Sequence, residues 1–99
     1  MIAPKRDNNH RAIVQALRKI GCSVADTASM GKGFPDLVVG YRGKTFLVEV
    51  KNETTGYGKR GLNPLQKQFR EKWLGSKIII ACDVEQIIKQ IQGEQNESE

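Results

Sequence analysis

No stretch of this 99-residue chain holds the roughly 18 consecutive apolar residues that a membrane-crossing helix needs, so such a helix is excluded. Cysteine is scarce. Cys22 and Cys82 stand 60 positions apart and neither belongs to a CxxC pair, so both are expected to pack as small reduced hydrophobes. A zinc framework and a disulfide scaffold are thereby set aside. The single histidine, His10, argues against a His-based metal site or a catalytic triad. GxxxxGK[ST] is absent, so nothing points to nucleotide hydrolysis. Repeats and low-complexity tracts are missing too. Met1 to His10 contains no apolar signal region, so the expectation is a protein that is not secreted and sits in the cytoplasm.

What the chain does have is positive charge. Lys and Arg number 16 against 11 acids, for a net charge of +5 and a pI near 9.4. Setting aside the tail acids Glu94, Glu97 and Glu99 raises that +5 to +8 on residues 1–93. A basic body of this kind suits a polyanionic partner. Length limits the chain to one domain with a thin stability margin, expected over 1–93 with an acidic, disordered tail over 94–99.

The residue pattern predicts the order α-β-β-β-α-β-α, a mixed sheet flanked by helices. Asp7, Asn8 or Asn9 caps a first helix that runs to about Lys19, with Ile13, Val14, Leu17 and Ile20 as its apolar face and Gly21 as its stop. Cys22 to Ser29 reads as a marginal strand. Asp36–Tyr41 and Lys44–Lys51 read as two strands joined by a tight Arg42-Gly43 turn. Asn63-Pro64 opens a helix to about Leu74, with Leu65, Phe69 and Trp73 on its buried face and Gly75 as its stop. Phe69 and Trp73 are accordingly expected in the core. Lys77 to Cys82 is a continuous apolar run, as in a central strand covered on both faces. Asp83 caps a last helix with Gln86 at the capping-box position and Val84, Ile87, Ile88 and Ile91 as its stripe, ending at Gly93.

The two-residue turn fixes a register in which Val39 faces Phe46, Leu37 faces Val48, and Asp36 faces Glu49. Two carboxylates then stand on one face of the hairpin with β-carbons about 4.5–5.5 Å apart, and Lys51 shares that face. Opposed like charges destabilise a sheet. The pair has two readings. It holds a divalent cation, which takes one or two carboxylates plus phosphate oxygens and water. Alternatively it is a solvated pair, with Asp36 following Pro35 in a turn and Glu49 paired to Lys51 or Lys44.

Phe34-Pro35-Asp36 followed across a hairpin by Glu49-Val50-Lys51 is similar to the PD-(D/E)XK nuclease signature. Gly33 to Val39, then Phe46 to Lys51, then Leu62-Asn63-Pro64-Leu65-Gln66-Lys67 together resemble the VRR-Nuc family, over roughly residues 7–92. The resemblance implies a restriction-endonuclease-like α/β fold and a nuclease acting on DNA with Mg²⁺ or Mn²⁺. It makes Asp36, Glu49 and the Val50 carbonyl metal ligands, Lys51 the catalytic lysine, and Gln66 a residue that supports the site or contacts substrate. Many members carry a Glu on the first helix; here Asn8-Asn9-His10-Arg11 stands there, so either His10 or Asn9 takes its place through a water or the ligand set is thinner. Arg60 fits the family's basic position only loosely, because the loop after Lys51 is long. Stand-alone phage and bacterial members further imply a homodimer cutting branched DNA such as four-way junctions, working in a bacterial host cytoplasm if phage-encoded.

Lys32, Lys59, Arg60 and Arg42 are the candidates for contacting DNA phosphates, each set against a solvated loop cation. Two other functions compete. One is a non-catalytic DNA-binding module on the same fold; the other is a structural phage protein whose basic surface binds a protein partner.

Overall fold

A computed structural model describes the backbone of residues 5–51 and 62–97, with side chains at 10–51 and 62–93. Lys59, Arg60 and Asn9, singled out above, lie outside the described side chains. The elements are α1 (Lys5–Lys19), β1 (Ser23–Asp26), β2 (Leu37–Tyr41), β3 (Lys44–Val50), α2 (Pro64–Lys72), β4 (Ile79–Ala81) and α3 (Val84–Glu97), with a short 3₁₀ turn at Ala28–Met30. Among the described residues the helices and strands follow one another as α-β-β-β-α-β-α.

α1 ends as its glycine dictates. Gly21 takes φ 99°, and the Cys22 and Gly21 amides donate back to the Leu17 and Arg18 carbonyls at 3.0 and 3.1 Å. This is the paired end bond that a left-handed glycine permits. Ile13, Val14 and Leu17 are buried as anticipated, but Ile20 is exposed. It stands past the last turn, where the chain already swings away from the helix axis. At the other end the helix starts at Lys5, ahead of the expected Asp7–Asn9 cap.

The sheet runs β1-β2-β3-β4, with β1-β2 and β2-β3 antiparallel and β3-β4 parallel. Arg42 and Gly43 adopt φ 50° and 82°, the two positive values of a type I′ turn, whose twist matches the strands. Pairing follows as expected: Tyr41 with Lys44, Val39 with Phe46, Leu37 with Val48. β4 is three residues long and stands at an edge among the described strands, where a central strand was expected. An apolar run marks burial on both faces, and it carries no information about neighbours on both edges.

α1 and α3 cover one face of the sheet. Leu17, Leu37, Val39, Val48, Ile87 and Ile91 are fully buried there, each contributing about 1.5–3 kcal/mol relative to exposure. Asp83 Oδ1 caps α3 by accepting from the Gln86 amide at 2.9 Å, while Gln86 Oε1 accepts from the Cys82 amide at 2.6 Å. Gly93 does not stop this helix, which continues to Glu97.

α2 lies over the other face and is anchored differently. Asn63 and Gln66 form the capping box, with the Gln66 amide donating to Asn63 Oδ1 at 2.9 Å. The helix buries none of its residues. Leu65 and Trp73, expected in the core, are 54% and 40% exposed, and the helix ends at Lys72, short of Leu74 and Gly75. Only Phe69 of that expected stripe is partly covered.

Candidate active site

Asp36 occupies the first position beyond the β1-β2-β3 ladders, and both neighbouring strands hold it. The Thr27 amide donates to the Asp36 carbonyl at 2.8 Å and the Thr27 hydroxyl to the Pro35 carbonyl at 2.7 Å. From β3, the Val50 amide donates to Asp36 Oδ2 at 2.9 Å. Side-chain carboxylate thus replaces backbone carbonyl where the chain leaves the sheet, and the fixed backbone fixes the acid.

Glu49 and Lys51 alternate with core-facing Val48 and Val50 along β3, so both side chains rise on the face under α2. Asp36, Glu49 and Lys51 are only 4%, 3% and 8% exposed, the buried charged residues of the described chain. Groups of this kind stay inside only when partnered. The Lys51 amide donates to Ala81 O at 2.8 Å, fixing the end of β3 against β4.

Gln66 joins the set. Its Oε1 accepts from Lys51 Nζ at 2.7 Å and from the Asn63 amide at 3.0 Å, and its Nε2 donates to Glu49 Oε2. Two donors on one side and a carboxylate on the other dictate which way the amide points. One side chain therefore caps its own helix and locks an ammonium and a carboxylate into a single geometry.

Gly33 makes that arrangement possible. At φ 83° it lies so close to α2 that an added β-carbon would fall 2.2 Å from the Leu65 carbonyl oxygen and 3.1 Å from the Gln66 amide nitrogen. The loop before Asp36 and the first turn of α2 thus meet backbone to backbone. Thr27, Asn63 and Gly33 were not assigned to the site from sequence. Asn63 was legible as a cap, but a cap motif says nothing of what its glutamine touches across the fold.

The donors suit a hard cation. Asp36 and Glu49 arrive from adjacent strands with the Val50 carbonyl beside them, an all-oxygen set of the kind Mg²⁺ and Mn²⁺ accept. His10 is not brought to them. Its Nε2 lies 3.0 Å from Asp26 Oδ2 without hydrogen-bond geometry, on the α1 side of the sheet. Among the described residues no three His, Cys, Asp or Glu side chains converge as a metal cluster.

The basic candidates are dispersed. Lys32 is exposed at φ 56° between Gly31 and Gly33, four residues ahead of Asp36. Arg42 stacks over the Tyr41 ring at 5.4 Å, at the far end of the hairpin, about 20 Å from Asp36 at about 3.4 Å per residue. A hollow of about 610 Å³ lined by Lys44, Lys77 and Lys89 also lies toward that end. Glu49 instead borders a narrow crevice under α2 that is also lined by Gly33, Gln66, Phe69 and Arg70. Burial pushes the Cys22 thiol above its ordinary pKa, consistent with a packing role, and no disulfide forms. No helix of the described chain is long and apolar enough to cross a membrane.

No protein-family model matches the chain, and no curated protein matches it. Among solved structures, one described as a VRR_NUC domain is similar, with 27% sequence identity and a TM-score of 0.62. The alignment covers 91% of this chain and 97% of that one.

Proposed function

This chain belongs to the VRR-Nuc family and is a nuclease-type DNA-processing module, and from that membership we propose a metal-dependent endonuclease that hydrolyses phosphodiester bonds in branched DNA as a homodimer. The observation that carries the reading is the buried Asp36–Glu49–Lys51 set, in which Gln66 bridges Glu49 and Lys51 and the Val50 amide holds Asp36. Asp36, Glu49 and the Val50 carbonyl would hold Mg²⁺ or Mn²⁺, which when bound supplies phosphate polarisation and a more acidic water. Lys51 orients the attacking water and offsets charge developing on the phosphate, and it does so from a position preset by Gln66. Gln66 keeps Lys51 and Glu49 at constant separation, so neither must reorganise during the reaction.

So short a chain has little surface for reading base edges. Recognition rests on phosphate contacts and DNA shape, with Lys32, Lys59 and Arg60 as the candidate cations. A homodimer delivers two such sites to one branched substrate and adds buried area to a small core.

The test is a cleavage assay on labelled linear, nicked, flapped and four-way-junction DNA with Mg²⁺, Mn²⁺ or EDTA. Metal-dependent cutting that Lys51→Ala abolishes is expected, strongest on the junction, and sedimentation is expected to give a dimer. Undiminished cutting by Lys51→Ala would overturn the mechanism. A non-catalytic DNA-binding module is the second reading, favoured by the pairing of His10 with Asp26 in place of a third acidic ligand. It predicts salt-sensitive binding with or without metal and no nicking in any condition.

A further inference from the structure

The helix that brings Gln66 to the site also carries an apolar tip. Gln66, Phe69, Arg70 and Trp73 are spaced i, i+3, i+4, i+7, so one helical face runs from the carboxylates to the end of α2. Along it the Phe34 and Phe69 rings meet edge to face at 5.3 Å, and Phe69 stacks on Trp73 at 5.5 Å. Beyond the helix the chain turns sharply. Trp73 Nε1 donates to the Ser76 carbonyl at 2.9 Å, and Gly75 lies so near the indole that a β-carbon there would come within 2.8 Å of it. This clasp holds Leu74 at the apex, 97% exposed.

A lone exposed leucine on a mobile loop would need no explanation. Leu74 differs because its turn is pinned on both sides and because of what surrounds it. Arg70 and Lys72 precede it and Lys77 follows, all exposed, against one acid, Glu71. Such a rim repels a second copy of the same tip. It suits a partner that is apolar at the point of contact and anionic around it, which describes a nucleobase flanked by phosphates. The separation also fits: seven residues at 1.5 Å rise place Trp73 about 10 Å from Gln66, about three steps along a stacked strand.

We propose that the Trp73–Leu74 tip abuts or enters an interruption in base stacking on the DNA whose phosphate lies at Asp36, Glu49 and Lys51. The tip is then the element that distinguishes a nick, flap or junction from continuous duplex. Apolar side chains inserted between base steps are a known way of exploiting weak stacking. This rests on the DNA-processing reading and adds the feature of the DNA that is read.

The chain's single tryptophan makes the test direct. Binding is measured in EDTA, so that cleavage plays no part, on continuous duplex, nicked duplex and a four-way junction, for the unaltered protein and Leu74→Ala. Trp73 emission is expected to change with nicked and junction DNA and to stay constant with continuous duplex. Leu74→Ala, at a solvent-exposed position that leaves the core intact, is expected to lower the preference for interrupted DNA about tenfold while duplex affinity holds. An unchanged preference together with unmoved emission would overturn the tip and leave the nuclease reading standing. Emission that shifts with protein concentration alone would overturn it in favour of a second copy. Absence of any DNA binding would remove both readings together.

Discussion

The two faces of the sheet are built on different principles. Toward α1 and α3 the contacts are apolar and dry, and Leu17, Ile87 and Ile91 lose nearly all their exposure against Leu37, Val39 and Val48. Toward α2 the sheet offers Asp36, Glu49 and Lys51, and the helix answers with one glutamine and Phe69, meets Gly33 of the facing loop backbone to backbone, and buries none of its residues. Stability is concentrated on the first face and the proposed chemistry on the second. A helix held mainly by directional polar bonds is positioned closely, yet its removal would cost the fold little apolar burial.

That contrast can be broken experimentally. The largest expected effect is on the polar face: Lys51→Ala or Asp36→Ala should lower the cleavage rate by at least about 10²–10³-fold, measured by single-turnover kinetics. Next comes the apolar face. Leu17→Ala should cost about 2–5 kcal/mol in denaturant unfolding, whereas Leu65→Ala, exposed on α2, should stay within about 0.5 kcal/mol. Equal losses at the two leucines would erase the distinction. Gln66→Ala should lower cleavage about 10–100-fold with a smaller change in melting temperature than Leu17→Ala, since it orients the reacting groups and anchors only its own helix. The smallest effect concerns Cys22. Its thiol is raised by burial, so folded and unfolded chains both hold the proton below about pH 8.5. Above that the unfolded chain ionises first, and stability falls as pH rises toward the folded value. Cys22→Ala should lack this alkaline decline in denaturant titrations from pH 7 to 10.

The apolar face was legible in the sequence because its information is local. Alternation across Leu37, Val39, Phe46 and Val48, plus a two-residue turn, determines the hairpin register, and Gly21 and Asp83 mark helix ends by their own backbone chemistry. The same register sets Asp36, Glu49 and Lys51 on one face. What failed was inference from apolar spacing to packing. Leu65 and Trp73 share a stripe with Phe69, but α2 docks through Gln66 and the aromatic row and leaves both exposed. The apolar run reported burial correctly at Ile78 and Ile79, overstated it at half-buried Ile80, and reported sheet position wrongly. The contact of Gly33 with Leu65 and the grip of Thr27 on Asp36 join positions distant in sequence through backbone atoms, and no pattern of side chains announces them.

The meeting of Gly33 with the Leu65 carbonyl bears on how such a chain diverges over time. The contact uses Leu65 only through its backbone, so nearly any residue can replace the exposed leucine without disturbing it. Gly33 has no such latitude, because any β-carbon strikes α2 and displaces the helix that carries Gln66. Drift should therefore erase the apolar letters of α2 early and retain the glycine and the glutamine late. Distant relatives would be better sought by that sparse pair, together with Asp36 and the Glu49–Lys51 step, than by overall similarity.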